Sequence, residues 1–344
     1  MDARRRQLLS LAAAASALQL PRPVLAAPGG KPSRVSVALA AKHTLYHLPL
    51  TLADQLGFFR QAGLEVDFIA HDAGAHAMAS LASGKADVAA AAYEHVFDVQ
   101  YQNLRHQAFV LMGRSPQVSL GVATRLSKLN SLTELKGARV GVTSIGSSTH
   151  AMASQWLLMH GVLPEDVHFV EVGSSNGVQD ALRAGSIDAL CNPDPVMHAL
   201  EMKNDLVMVG EARSLQGTLQ VMGGAVPGAC LMAREEFLQR QPELAQALSD
   251  GVVHALKWLK TAGPTDLFRY VPVAYWMNDR AAYLGAFEKL RESYAMDGLV
   301  QEDTVLNLWR AHARVSGRMQ TSRTLLMRTF NNAFAQRAKA RFKA

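Results

Sequence analysis

The chain runs to 344 residues, with 35 Lys and Arg, 29 Asp and Glu, 12 His and two cysteines, and is 49% hydrophobic. That length is too great for one ordinary core and calls for about two domains. A net charge of +6, with no basic and aromatic interleaving and no nucleic-acid module, excludes a nucleic-acid partner.

Arg4, Arg5 and Arg6 precede a short apolar run, Leu8 to Leu20, and the small residues Val24-Leu25-Ala26. This is the pattern of a secretory signal peptide over residues 1–26. Arg5-Arg6-Gln7-Leu8-Leu9 also fits the twin-arginine spacing, so either export route is open. The run is too short to span a bilayer, and no later segment reaches roughly 18 uninterrupted apolar residues. With no Cys near the cleavage region, a lipid anchor is not expected, and the mature chain is predicted to be free in the periplasm. Cleavage after Ala26 removes four Arg and one Asp and takes the net charge from +6 to +3.

Val35, Val37 and Leu39 alternate as a first strand, and Leu48 to Arg60 reads as an amphipathic helix. Strand Leu64 to Ile69, helix His76 to Ala82, strand Ala86 to Ala91, helix Glu94 to Asn103 and strand Ala108 to Met112 follow. Short strands joined by helices predict a parallel sheet covered on both faces. After strand Ser119 to Ala123, a charged linker ends at Lys136-Gly137 and the alternation restarts, which marks a second lobe. Its elements are strand Arg139 to Val142, helix Thr149 to His160, strand Val167 to Val172, helix Val178 to Ala184, strand Ile187 to Leu190, helix Pro195 to Met202 and strand Leu206 to Gly210. Beyond a Gly-rich stretch, Gly217 to Gly228, strand Ala229 to Ala233 leads into long helices such as Leu238 to Lys260. The basic residues from Arg310 to Lys343 read as a solvated helical face with a frayed tail. Cys191 and Cys230 can pair in an oxidising compartment or stay as buried single thiols.

Several short motifs recur in a familiar order: Gly57-Phe58-Phe59, Gly63-Leu64-Glu65-Val66, Gly84-Lys85-Ala86-Asp87-Val88, Leu135-Lys136-Gly137-Ala138-Arg139-Val140-Gly141-Val142, Gly146-Ser147-Ser148-Thr149-His150 and Gly185-Ser186-Ile187-Asp188-Ala189. Together they resemble the nitrate, sulfonate and taurine group of ABC-importer binding proteins, which also includes pyrimidine-precursor binders. The resemblance implies the type II periplasmic binding protein fold, two α/β lobes with a ligand cleft between them and two hinge crossings. Lobe 1 is expected over residues 34–116 and 234–344, and lobe 2 over residues 117–233. It further implies a monomer that carries a small-molecule ligand to a membrane permease, with no cofactor and no catalytic residue. Gly57 is expected in the left-handed conformation that ends a helix, and Phe58 and Phe59 as core plugs.

Ligands of open α/β sheets bind beyond the carboxyl ends of the strands, where helix starts offer unpaired N–H groups. Gly146, Ser147, Ser148 and Thr149 form the strongest such start, whether as ligand contacts or as a plain N-cap. In the first lobe the corresponding mouths hold Lys42, His43, Thr44 and Tyr46, then Gly74, then Tyr93 and Glu94. Asn192 and Asp194 follow strand Ile187 to Leu190, Asp194 doubling as a helix cap, and Gly223-Gly224 is a further wall. Glu94 would repel a bare anion, which favours a ligand that also carries a cationic or hydrogen-donating group. An organic solute is therefore expected: a sulfonate, a taurine-like zwitterion, an aromatic carboxylate or a pyrimidine-like ring.

Three rival readings attach to particular residues. Gly173-Ser174-Ser175-Asn176-Gly177 is a literal G-x-S-x-G between strand and helix, which would make Ser175 a hydrolase nucleophile. Desulfinases of this fold use a Cys near the end of the first strand, and positions 42 to 47 hold none. His43 and His47, four residues apart, would be the core of a metal site.

Overall fold

The computed structural model describes residues 32–102, 104–126, 132–318 and 321–344. The expected signal peptide and part of the expected linker, residues 127–131, lie outside the described residues. Strands β1 (Ser33–Ala40), β2 (Leu64–His71), β3 (Val88–Ala92) and β4 (His106–Leu111) alternate with helices α1 (Leu48–Gln55), α2 (Phe58–Gln61), α3 (Gly74–Ala82) and α4 (His95–Tyr101). The second alternation comprises β5 (Val118–Ala123), β6 (Arg139–Val142), α5 (Ser148–Met159), β7 (His168–Glu171), α6 (Gly177–Arg183), β8 (Ala189–Pro193), α7 (Val196–Met202), β9 (Leu206–Glu211) and α8 (Leu215–Met222). Then come β10 (Ala229–Arg234) and helices α9 (Glu235–Arg240), α10 (Pro242–Leu259), α11 (Pro264–Tyr270), α12 (Arg280–Leu290), α13 (Glu302–Ser316), α14 (Arg323–Met327) and α15 (Ala333–Phe342).

Two five-stranded sheets result, in the orders β2-β1-β3-β10-β4 and β7-β6-β8-β5-β9. The central strands are buried on both faces, as β3 with its run Val88-Ala89-Ala90-Ala91-Ala92 illustrates. The fold is the two-lobed α/β arrangement of periplasmic binding proteins. Neither sheet is purely parallel, however: β10 runs antiparallel to β3 and β4, and β5 antiparallel to β8 and β9. The reason lies in the chain path. The chain leaves β4 at the carboxyl edge of the first sheet and crosses to the matching edge of the second, so β5 has to run away from that edge. The same holds for β10 on the return.

The two crossings lie side by side. Gly228 donates to the Gly113 carbonyl at 2.8 Å, and Gly113 donates to that of Ala229 at 3.0 Å. A Cβ at Gly228 would collide with the Ser115 carbonyl, so this contact requires glycine.

Helix boundaries differ from the expectation at three places. Gly57, at φ +74°, divides the expected helix Leu48 to Arg60 into α1 and α2, and Pro242 starts α10 afresh after α9. The Gly-rich stretch contains α8, capped by Ser214, whose Oγ accepts from Gly217 N at 3.0 Å, and closed by left-handed Gly223. Phe59 is 1% exposed in the core, while Phe58 stacks on His254 with ring centroids 3.8 Å apart. Cys191 and Cys230 are buried free thiols on β8 and β10. Of the late helices, α10 and α15 pack on the first sheet, whereas α12 meets α7 and α13 meets α5 and α8.

Candidate functional site

The carboxyl ends of β1, β2 and β3 face those of β6 and β8, and the loops between them meet along one seam. Two helix starts oppose each other there. At α5, the first intrahelical bond runs from Ala151 N to Ser147 O, which leaves the N–H groups of Ser148, Thr149 and His150 without an acceptor among the described residues. Across the seam, α3 begins at Gly74, and Ala77 is the first residue to bond back into the helix.

Ser147 occupies the N-cap position of α5 in an extended conformation, yet its side chain caps nothing. Its Oγ sits 2.7 Å from Ser144 Oγ and accepts from Ala75 N at 3.3 Å, joining the two helix starts. Thr149 turns its hydroxyl back onto the loop, accepting from Thr143 N at 2.9 Å, which fixes the approach of the chain from β6 to α5. Two further bonds close the seam: His43 Nε2 to Ser174 O at 2.6 Å, and Leu45 N to Asp194 O at 3.0 Å.

Between these bonds lies a cavity with about 30 Å³ of free volume, room for a water or two. Thr44, Tyr46, His47, Asp72 and Gly74 line it on one side, and Thr143, Ser148, Thr149 and Pro193 on the other. Among the described residues, neither ring nitrogen of His47 nor the hydroxyl of Tyr46 has a well-formed hydrogen bond, the Ala40 backbone acting on His47 only weakly. Burial pushes the His47 imidazole down to about 3, so at neutral pH it is an uncharged ring offering one donor and one acceptor. Burial first, then the nearby Glu94 charge, holds the Tyr46 phenol well above its usual range, so it stays a neutral donor. Among the described residues of this wall, Asp72 is the only charged side chain and no Lys or Arg contributes. The attraction for an acceptor group therefore comes from the helix starts.

Glu94 lines an adjoining crevice of about 20 Å³ with Ala151, Met152 and Gln155 of α5 and with His312 of α13. The remaining sequence candidates lie elsewhere. Lys42 is exposed. Tyr93 is fully buried, its hydroxyl 2.6 Å from Thr329 Oγ1. Gly146, at φ +79°, faces outward with its N–H on His150 Nδ1. Asn192 falls inside β8, whose observed span is two to three residues later than expected, and its Nδ2 donates to Gly173 O at 2.9 Å. The Asp194 carboxylate caps α7 through His198 N at 2.9 Å and faces Arg213 at 3.6 Å, both side chains fully buried. Gly223 ends α8, and a Cβ at Gly224 would press on Asn307.

Ser175 is exposed at the start of the turn into α6, and His43 reaches the carbonyl of Ser174 rather than a hydroxyl. His43 and His47 engage separate surroundings, one the Ser174 carbonyl and the other the cavity wall. Among the described residues no group of three His, Cys, Asp or Glu is placed to hold a metal ion. Sequence reasoning put His47 in the loop that opens on the cleft and weighed it as a metal partner, but missed it as an uncharged cavity wall. It also missed Arg213, which binds Glu201 at 3.2 Å and Glu211 at 2.9 Å besides Asp194.

The profile of the NMT1/THI5-like family matches residues 44–262, a span that takes in the cavity walls from Thr44 to Pro193. The chain belongs to that family. A solved protein from Bordetella bronchiseptica RB50 is 34% identical to this NMT1/THI5-like chain, with a TM-score of 0.86 over 90% of this chain and 98% of that one. The alkanesulfonate-binding protein SsuA from Xanthomonas axonopodis pv. citri, bound to MOPS, is 15% identical with a TM-score of 0.68 over 88% of this chain and 100% of that one, a likeness of fold. The 4-amino-5-hydroxymethyl-2-methylpyrimidine phosphate synthase of Schizosaccharomyces pombe is 24% identical over 210 residues, 59% of this chain and 59% of the relative. The NMT1/THI5-like chain thus spans under two thirds of that curated relative's length. Among its described residues, no helix is long and apolar enough to cross a membrane.

Proposed function

We propose that the chain is the solute-binding component of an ABC importer, exported to the periplasm, which captures one small organic solute by closing its lobes and presents it to a membrane permease. The observation that carries this reading is the pair of opposed helix starts, α3 and α5, joined by the Ala75 to Ser147 hydrogen bond beside unpaired Tyr46 and His47. A carboxylate, sulfonate, carbonyl or ring nitrogen would sit on the free amides, and the planar body of the solute would meet His47 and Tyr46.

The free volume of this conformation is far below that of an organic solute, so capture requires the lobes to part and close again. Differential contacts in the two states then drive closure. The lobes that move are taken as residues 34–116 with the segment beyond the second crossing, against the segment between the crossings.

Native mass spectrometry of the purified protein, with identification of any retained small molecule, tests the reading. A thermal-shift screen of organic acids and heterocycles complements it, because a ligand of the native state raises the melting temperature by mass action. A retained organic solute or a saturable shift supports the proposal. Stoichiometric labelling of Ser175 by a fluorophosphonate, or stabilisation by a metal ion alone, would replace it with one of the rival readings.

The S. pombe relative's name keeps a synthase reading in view. The two cysteines give it no support here, since burial raises both thiols and neither lines the cavity.

A further inference from the structure

The cavity at the helix starts and the crevice at Glu94 follow the same two segments. Ala91 and Ala92, then Glu94, line them from the end of β3; Ser148 and Thr149, then Ala151, Met152 and Gln155, line them from α5. At 1.5 Å per residue, the free amides of α5 and the side chain of Gln155 are roughly 9 Å apart along the helix. The seam therefore has two ends of different chemistry.

At the far end two polar side chains offer acceptors, Glu94 and Gln155, while His312 lines the same crevice with its Nε2 turned toward Asp98. Gln155 is 3% exposed and its Oε1 has no partner among the described residues. The half-buried Glu94 carboxylate makes no ion pair among the described residues. The two histidines nearest to it lean toward Asp98: His95 Nδ1 lies 3.7 Å, and His312 Nε2 3.3 Å, from the Asp98 carboxylate. A carboxylate and an unpaired amide oxygen facing one crevice are complementary to N–H groups.

Resting on the solute-binding reading above, we propose that Glu94 and Gln155 form a second subsite that receives an amine of the solute, whose acceptor end lies on the starts of α3 and α5. The solute class is then an elongated molecule with an acceptor head and an amino group roughly 7 to 9 Å away, a spacing set by the helix rise. A simple anion of the same length lacks the group that this end of the seam requires.

Titration calorimetry on the full mature chain with matched probes tests this: 4-(aminomethyl)benzoate against 4-methylbenzoate, and 6-aminohexanoate against hexanoate. In at least one pair the amine member should bind about tenfold tighter, the size of one charge-assisted hydrogen bond. Glu94→Gln, with its fold checked by circular dichroism, should bring the two members within about threefold, by weakening the amine member and relieving the repulsion of the amine-free one. Gln155→Leu should reduce the preference in the same direction, and serves if the first variant does not fold. Equal binding of both members, or a preference that survives both substitutions, overturns the amine subsite and leaves the solute-binding reading standing. Silence from all four probes also overturns it as stated. The native mass spectrum then decides the solute-binding reading separately, by whether an organic solute is retained.

Discussion

The Nε2 atom of His43 lies 2.6 Å from the carbonyl oxygen of Ser174, so one side chain from the loop after β1 holds the loop before α6 across the cleft. The geometry requires the proton on Nε2, since a carbonyl can only accept. His43→Ala removes one of three bonds along the seam and should shift the equilibrium toward the open form by about 1 kcal/mol. Solute affinity should then fall about fivefold, and the radius of gyration by small-angle scattering should rise in the unliganded variant. Unchanged affinity and radius would show that the other two bonds suffice.

His47 gives a pH dependence of definite sign. Burial takes its pKa from 6.5 to about 3, so between these values the unfolded chain accepts a proton that the folded chain refuses. Its contribution to stability is fully present above pH 6.5 and is lost as the pH falls toward 3. At pH 4.5 the wild type should therefore have lost about 2.5 to 3 kcal/mol more, relative to pH 7.5, than His47→Gln. Chemical denaturation of both proteins at the two pH values measures the difference; parallel losses would mean that the ring is not refused its proton.

Arg213 is fully buried between Asp194, Glu201 and Glu211. Arg213→Met keeps much of the volume but strands the buried Asp194 carboxylate, whose pKa burial already raises. Equilibrium unfolding should show a loss of about 3 to 5 kcal/mol. Adding Asp194→Asn should recover part of it, because the stranded charge is gone. A double variant no better than the single one would point to packing alone.

Tyr93→Phe separates core from cleft. The hydroxyl bonds Thr329 in a fully buried setting, so the variant should lose about 1 kcal/mol of stability. Calorimetry should find its solute affinity unchanged. A weakened affinity would return Tyr93 to the binding wall.

The alternation of apolar runs and helical periods made both lobes legible, because buried strands such as β3 and β8 carry little else than apolar residues. The antiparallel placement of β5 and β10 was not legible, since it follows from where a crossing delivers the chain. Helix α8 was hidden by its glycines although Ser214 and Gly223 mark its two ends. At the site, Gly74, Ser148 and Thr149 followed from the rule that ligands meet strand ends. Tyr93 reads the same way in sequence, but the direction of its side chain toward Thr329 depends on packing from the far end of the chain. Arg213 was passed over for a related reason: a lone polar residue reads as solvated until its neighbours are in place.

The paired backbone at the crossings, Gly113 against Gly228 and Ala229, bears on how the molecule opens. Two separate tethers would let one half swivel, slide or swing relative to the other. Tethers zipped to each other behave as a flat strap, which flexes readily about its width and resists torsion and shear. Opening then has a single coordinate, and one spectroscopic ruler between a label on each half would follow the whole cycle.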